Sequence, residues 1–349
     1  MIGRMIVSRI LRAFVLLVIV VLFLSYVFGT LAEERLSSQV LEEIGVELRS
    51  NPSYPLLSNE EKLEFKTNLI NLKRTQYGLD KPFFTRVMQN ALNVITLHFG
   101  DALVLKSRSG SKSVSAIILE ALPRTVILFT TGSLIGILIG LFLGLKAAQK
   151  SGTIFDRFIS GFAILSRSLP MWWLGMLFIV AFSYHLKIFP SGGYISLPPP
   201  SGIRYFLDFL YHLALPLLTV VMVLFGSIAY LSRNLVLGTL QEDYITVARA
   251  KGVPEKRVLY GHVLRSTAPP LITLSAVSLF GSFGGALISE IVFNWPGMGR
   301  LYWTALEAND HSVLLGNTFV TAFIYIVGIA ILDITYGLLD PRIRSGERR

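Results

Sequence analysis

Charge-free runs alternate with polar stretches along the whole chain. Six of them stand out, at residues 13–32, 125–145, 168–184, 209–232, 266–289 and 312–332. An α-helix rises 1.5 Å per residue, so about 20 apolar residues cross a hydrocarbon core of about 30 Å. Most of the runs meet that length, and the third does if its helix begins near Phe158 and carries Arg167 with it. The pattern predicts an all-α polytopic membrane protein with six transmembrane helices. Its segments are an N-terminus and first helix (1–32), an insert (33–113), a five-helix core (114–340) and a tail (341–349).

The second span carries Gly132, Gly136, Gly140 and Gly144 at four-residue spacing, hence on one helical face. Such a ladder lets another helix come to backbone contact, the usual means of association where lipid removes the hydrophobic drive. Packing within the chain, a subunit interface and a moving surface all fit it. Pro170 in the third span, Pro216 in the fourth and Gly281, Gly284 and Gly285 in the fifth loosen three helices, and broken helices near a membrane midplane line pathways. If the third helix starts just after Arg157, Arg167 lies about 15 Å along it, near the midplane. There it faces a cavity and meets a carboxylate-bearing substrate, or it snorkels or pairs with another side chain. Glu290 ends the fifth span and is followed by the stiff turn Phe293-Asn294-Trp295-Pro296-Gly297-Met298-Gly299. Arg167, Pro170 and Glu290 are the candidate pathway residues, with Glu290 too distant in depth to pair with Arg167. Asp333, at the end of the sixth span, suits an interfacial hydrogen bond.

The polar loop 233–265 is the most informative insert. Residues 242–251 predict a short helix, with Glu242 and Asp243 in its first turn and Arg249 and Lys251 in its last, as the helix dipole favours. Gly252 stops it. A second short helix is expected from Pro254 towards His262, with Pro269-Pro270 marking entry into the fifth span. Two short helices joined at a glycine form a compact knob, and small Ala248 and Ala250 permit close approach by a partner. An amphipathic hairpin resting on lipid headgroups fits the same residues.

Composition agrees with a membrane protein, with 52% hydrophobic residues, 15% charged and mean hydropathy +0.60. An even number of spans puts both termini on one side. The segments on that side hold 16 basic and 6 acidic residues, whereas residues 33–120 hold 11 of each. The basic side is the cytoplasmic one, so the net charge of +10 reflects orientation rather than nucleic-acid binding. The first run is longer than the apolar part of a usual signal peptide and is read as a retained anchor. The chain has no cysteine, which excludes disulfides and thiolate zinc sites. The insert contains turn signals at Asn51-Pro52 and Tyr54-Pro55 and a helix signal at Glu60-Glu61-Lys62. It is expected to form a small cap docked through Phe83, Phe84 and Phe99, with residues 107–115 a plain loop or a flexible hinge, the loop being the stronger reading.

Several segments, taken together and in order, resemble the membrane-spanning permeases of dipeptide and oligopeptide importers, the binding-protein-dependent ABC transporters. They are Tyr77-Gly78-Leu79-Asp80-Lys81-Pro82, Ser191-Gly192-Gly193-Tyr194, Ala248-Arg249-Ala250-Lys251-Gly252, His262-Val263-Leu264-Arg265, Trp295-Pro296-Gly297-Met298-Gly299 and Leu339-Asp340-Pro341-Arg342-Ile343-Arg344. The resemblance implies a type I importer core with an extracytoplasmic insert, in a prokaryotic plasma membrane. It makes Glu242, Asp243, Tyr244, Ala248, Arg249, Ala250, Lys251 and Gly252 the loop that couples to an ATPase. The family's Glu-Ala-Ala is replaced here by Thr246-Val247-Ala248, and Arg265 stands where many relatives have proline. The implied partners are two ABC ATPase subunits, a second related permease, an extracytoplasmic solute-binding protein and the lipid bilayer. ATP and Mg²⁺ are used by the ATPases and no cofactor is bound by this chain. In keeping with that, it has no Gly-Lys dipeptide and so no Walker A loop. Neither His-Glu-x-x-His nor Gly-x-Ser occurs, which argues against an intramembrane hydrolase. Short peptides, oligosaccharides and nickel are the cargoes implied. An ion-coupled transporter or passive channel is the rival class, and it has no need of the knob.

Overall fold

The computed structural model describes residues 2–76 and 79–339. Tyr77, Gly78 and the tail from Asp340, with most of the Asp-Pro-Arg motif, lie outside the described residues. Those described are helical with no named strand, and five helices are long and apolar enough to cross a membrane. A sixth span is a helix pair bent by 104°. The chain divides into two compact units, one of residues 2–10, 119–304 and 324–339, the other of residues 11–118 and 305–323.

In the second unit, α1 (Ile2–Ser50) does not end at Ala32 but continues without a break to Ser50. Leu36, Val40, Ile44 and Leu48 fall on one face of this extension, and they pack against Leu69, Ile70 and Leu79. That apolar stripe gives the extension a partner in α2 (Asn59–Gln76). The start of α2 is a capping box: Ser58 Oγ accepts the Glu61 N–H (3.3 Å) and Glu61 Oε2 accepts the Ser58 N–H (2.8 Å). A third helix, α3 (Phe83–Ile95), buries Val87, Ala91 and Val94. Phe83 meets Tyr26 edge-on at 5.7 Å and Phe99 meets Phe319 at 5.7 Å, while Phe84 points outward, 72% exposed, and docks nothing. The 107–115 stretch, read as a plain loop or a hinge, is an ordered turn. Ala102 N–H bonds Lys112 O (2.7 Å), Ser107 N–H bonds Ser111 O (2.8 Å), and Gly110 takes φ +82°.

In the first unit the second span belongs to α4 (Val114–Gln149) and the fourth to α7 (Ile203–Leu240). The glycine ladder of α4 lies along α7, so it serves packing within the chain. A Cβ on Gly132 would come 2.6 Å from the Val220 side chain, and one on Gly140 would come 2.8 Å from the Phe225 carbonyl. At Gly144 it would overlap Ser232 Oγ and reach the Ala229 carbonyl at 2.5 Å. The four glycines are thus replaced, as surface, by the backbone and side chains of α7.

The third span is α5 (Ile154–Ser168) followed by α6 (Met171–His185). Leu169 is extended and Pro170 opens the next helix, as expected where a proline disfavours the α conformation in its predecessor and offers no N–H. The break falls at Pro170, where the sequence placed a loosening of the third span, and Arg167 sits exposed in the last turn of α5, at the bend. Thr153 caps α5 by accepting the Asp156 N–H. Asp156 is in turn gripped by both forks of Arg233, whose Nη2 donates to Oδ2 at 2.8 Å. Arg233 is therefore part of α7, and the polar insert begins only after Leu240.

After the insert comes α9 (Glu255–Gly284), preceded by the short α8 (Asp243–Ala250). The expected short second helix is instead the first part of α9, which runs on through a wide π turn at Val258–Val263 and through Pro269 and Pro270. Prolines are tolerated inside membrane helices when surrounding groups re-satisfy the backbone. The fifth span then breaks at Gly285 (φ +69°) and extended Ala286. Beyond it lie α10 (Leu287–Val292), α11 (Met298–Glu307) and α12 (His311–Leu339).

The ladder makes a graded prediction. Gly144→Ala should lower the thermal stability of the detergent-solubilised chain by about 1–3 kcal/mol, because its Cβ strikes the Ala229 carbonyl at 2.5 Å, and Gly132→Ala by less, because its nearest fixed atom, Val220 Cβ, lies at 2.9 Å and calls for a smaller shift. Equal losses at the two positions would contradict this packing.

Candidate functional site

The insert between α7 and α9 forms a knob with an apolar inside and a polar outside. Glu242 occupies the N-cap position of α8 with extended backbone, and Asp243 begins the first turn. Ile245 is fully buried and packs with Ala148, Val236, Val258, Leu259 and Val263. One residue of α8 thus anchors the helix to the ends of α4, α7 and α9. Tyr244, Thr246, Val247, Arg249, Ala250 and Lys251 are exposed, while Ala248 is half-buried. Tyr244 Oη shares a hydrogen bond with Ser266 Oγ (2.9 Å), which fixes the ring beside the start of the fifth span.

The glycine requirement here is conformational. Gly252 takes φ +75° and has open space around it, so backbone geometry rather than crowding selects it. Its N–H bonds Arg249 O (2.9 Å) and the Val253 N–H bonds Ala248 O (3.2 Å), closing the end of α8. Across this turn Arg249 makes a two-pronged pair with Glu255, Nη2 to Oε1 at 2.6 Å and Nε to Oε2 at 3.1 Å. The pair is on the surface and worth under about 1 kcal/mol, yet it sets the orientation of α8 against α9. Glu255 was not among the residues singled out in the sequence, although its position six places after Arg249, across a glycine, was a usable signal.

The pathway candidates do not converge. Arg167 and Pro170 flank the bend of the third span, both exposed. Glu290, in contrast, is completely buried. Its Oε1 accepts the Thr125 hydroxyl (2.9 Å) and its Oε2 the Arg300 N–H (2.9 Å). Thr125 Oγ1 accepts the Met298 N–H at 2.7 Å. A carboxylate held this way is occupied inside the chain. Thr125 lies 165 positions away in sequence, and no local pattern announced it.

An apolar groove of about 670 Å³ runs between α4, α7 and α9, lined by Leu138, Phe142, Leu145, Val236, Leu271 and Ile272. Among the described residues no cluster of His, Asp or Glu is arranged to hold a metal. The arrangement offers an apolar groove and a surface knob with one buried anchor.

The model of the family "Binding-protein-dependent transport system inner membrane component" matches residues 136–345, a stretch that includes most of the ladder, the knob and Glu290. The oligopeptide transport system permease protein AppB of Bacillus subtilis is 31% identical over 268 residues, covering 77% of this chain and 83% of that one. The di/tripeptide transport system permease protein DppB of Pseudomonas aeruginosa is 30% identical over 282 residues, covering 76% and 82%. A putative peptide permease of Brucella suis is 34% identical over 271 residues, covering 78% and 83%. With well over half its length matched and its helices long enough to cross a bilayer several times, this chain belongs to the family of inner membrane components of binding-protein-dependent transport systems.

Proposed function

We propose that this chain forms half of the translocation pathway of an ATP-driven importer of short peptides. The knob lies on the cytoplasmic side with both termini, where basic residues predominate. Two ATPase subunits use ATP and Mg²⁺ and drive the knob. A second permease completes the passage, and an extracytoplasmic binding protein delivers the cargo. The peptide cargo is supported by the names of the relatives, all of them peptide permeases. Arg167, exposed at the bend of the third span, is the residue proposed to meet a peptide carboxylate in the passage. Glu290 is left out of the passage because its acceptors are already engaged.

One observation carries the reading: α8 has a single buried anchor, Ile245, under an outward face containing Tyr244 and Val247, 44% and 51% exposed. A helix fixed from below and bare above is suited to sit in a groove of a soluble partner. A push on it is passed to the ends of three membrane helices through the apolar cluster around Ile245.

Val247→Asp places a charge on that bare face without touching the anchor. It should reduce binding-protein-stimulated ATP hydrolysis of the assembled transporter at least about tenfold, the effect of losing about 1.4 kcal/mol at the contact. Stimulation at the wild-type level would count against α8 as the docking helix. The Arg249–Glu255 pair allows a sharper test. Arg249→Glu alone should impair coupled hydrolysis, and adding Glu255→Arg should restore most of it, because the pair braces the knob from within. If the double variant stays as impaired as the single one, Arg249 contacts the ATPase directly and the brace is refuted.

A further inference from the structure

The two halves of the fifth span are held very differently. The part nearer the knob, α9, follows directly from it and buries only Thr267 and Leu271 over Leu264–Gly281. The part beyond the break is locked. Phe293 and Trp295 are buried in an apolar cluster with Leu128, Phe129, Ile179, Leu213, Leu215 and Val220, from the second, third and fourth spans. Polar contacts tighten the same turn: Trp295 Nε1 donates to Arg124 O (3.0 Å), Arg124 Nη1 donates to Pro296 O (3.3 Å), and the Gly193 N–H donates to Phe293 O (2.8 Å).

Glu290 stands at the centre of this lock. Its carboxylate accepts the Thr125 hydroxyl and the Arg300 N–H, and Thr125 Oγ1 in turn accepts the Met298 N–H, so that α4, α10 and the start of α11 are joined. The backbone closes on it from two sides: a Cβ on Gly285 would overlap Oε1, and one on Gly297 would lie 2.7 Å from Oε2. Between the locked and lightly held halves lie the 3₁₀ turn Ser282–Gly284, Gly285 at φ +69°, and Gly281 with open space around it. Gly281 and Gly285 free the backbone there, while Ser282 pins the pivot to α4, its Oγ sharing a hydrogen bond with Thr130 Oγ1 (3.0 Å), so a bend is placed at this point.

We propose that Glu290 is a positioning residue, a latch that fixes the far half of the fifth span to the second span through Thr125, so that the near half swings about residues 281–285 when the knob is driven. The proposal rests on the coupling function assigned to the knob. It explains how a displacement at α8 opens the groove between α4 and α9 without unseating the turn at 293–299. A membrane carboxylate is costly to bury, and here its donors come from two elements, α4 and α11, so loss of the carboxylate frees both from α10 together.

The chain has no native cysteine, so spin-label pairs can be placed cleanly in it and read in a transporter assembled with partners whose own cysteines have been replaced. One pair, Leu138→Cys with Ile272→Cys, spans the groove; the other, Ile127→Cys with Thr304→Cys, spans the latch. Between the nucleotide-free state and the state trapped with ATP and vanadate, the groove pair should shift by at least about 5 Å, as for a one-turn displacement, and the latch pair should stay in place. Equal shifts at both pairs would overturn the hinge while leaving coupling intact. No shift at either would overturn both the coupling reading and the hinge. In a Thr125→Val background the latch pair should begin to shift with nucleotide, and in Thr125→Ser, which keeps the hydroxyl, it should again stay in place. A latch pair indifferent to Thr125→Val in a transporter that still assembles would refute the role given to Glu290.

Discussion

Backbone contact between the second and fourth spans is the constraint on which the rest of the first unit depends. In lipid, apolar side chains gain little by leaving one apolar environment for another, so helices associate through close packing. The ladder from Gly132 to Gly144 removes four side chains in a row and lets α7 lie against α4 along most of its length. The resulting pair is a strut. Asp156 and Arg233 add an ionic clamp from α5 to the same α7, at the end where the charges remain within reach of water.

Both ends of the strut are put to use. At one end, Ala148 of α4 and Val236 of α7 form the seat for Ile245 and thereby hold the knob. At the other, Thr125 and Leu128 of α4 and Leu213 and Val220 of α7 hold Glu290, Phe293 and Trp295. The fifth span connects these ends, leaving the knob as a lightly packed helix and arriving at the lock as a broken one. In the proposed mechanism this rigid strut stands beside a jointed connector, and a local push on the knob is to change the groove between them.

Much of this was legible in the sequence, because it was written at short range. The six spans followed from run length, the ladder from a four-residue period, and the knob helix from acids, bases and a terminating glycine in eleven consecutive positions. What escaped was long-range or depended on where a helix stops. Arg167 was placed mid-helix because an apolar run continues past it, whereas Pro170 and its extended predecessor turn the chain there. Pro269 and Pro270 suggested a helix start and are instead carried inside one. Ala32 suggested the end of the first helix, yet an apolar stripe at four-residue spacing from Leu36 to Leu48 keeps it going against α2. Glu290 stood out as a charge near a span end, but only the fold supplied Thr125 and the Arg300 N–H that occupy it.

The central claim is that movement in this chain is imposed from outside it, through the knob around Gly252. Flux of labelled di- to penta-alanine into proteoliposomes tests this most directly, measured with the chain and its partner permease alone and again with the ATPase subunits, ATP and the cognate binding protein. The account predicts uptake only in the complete, ATP-supplied system. Comparable flux through the permeases without the ATPases would contradict it.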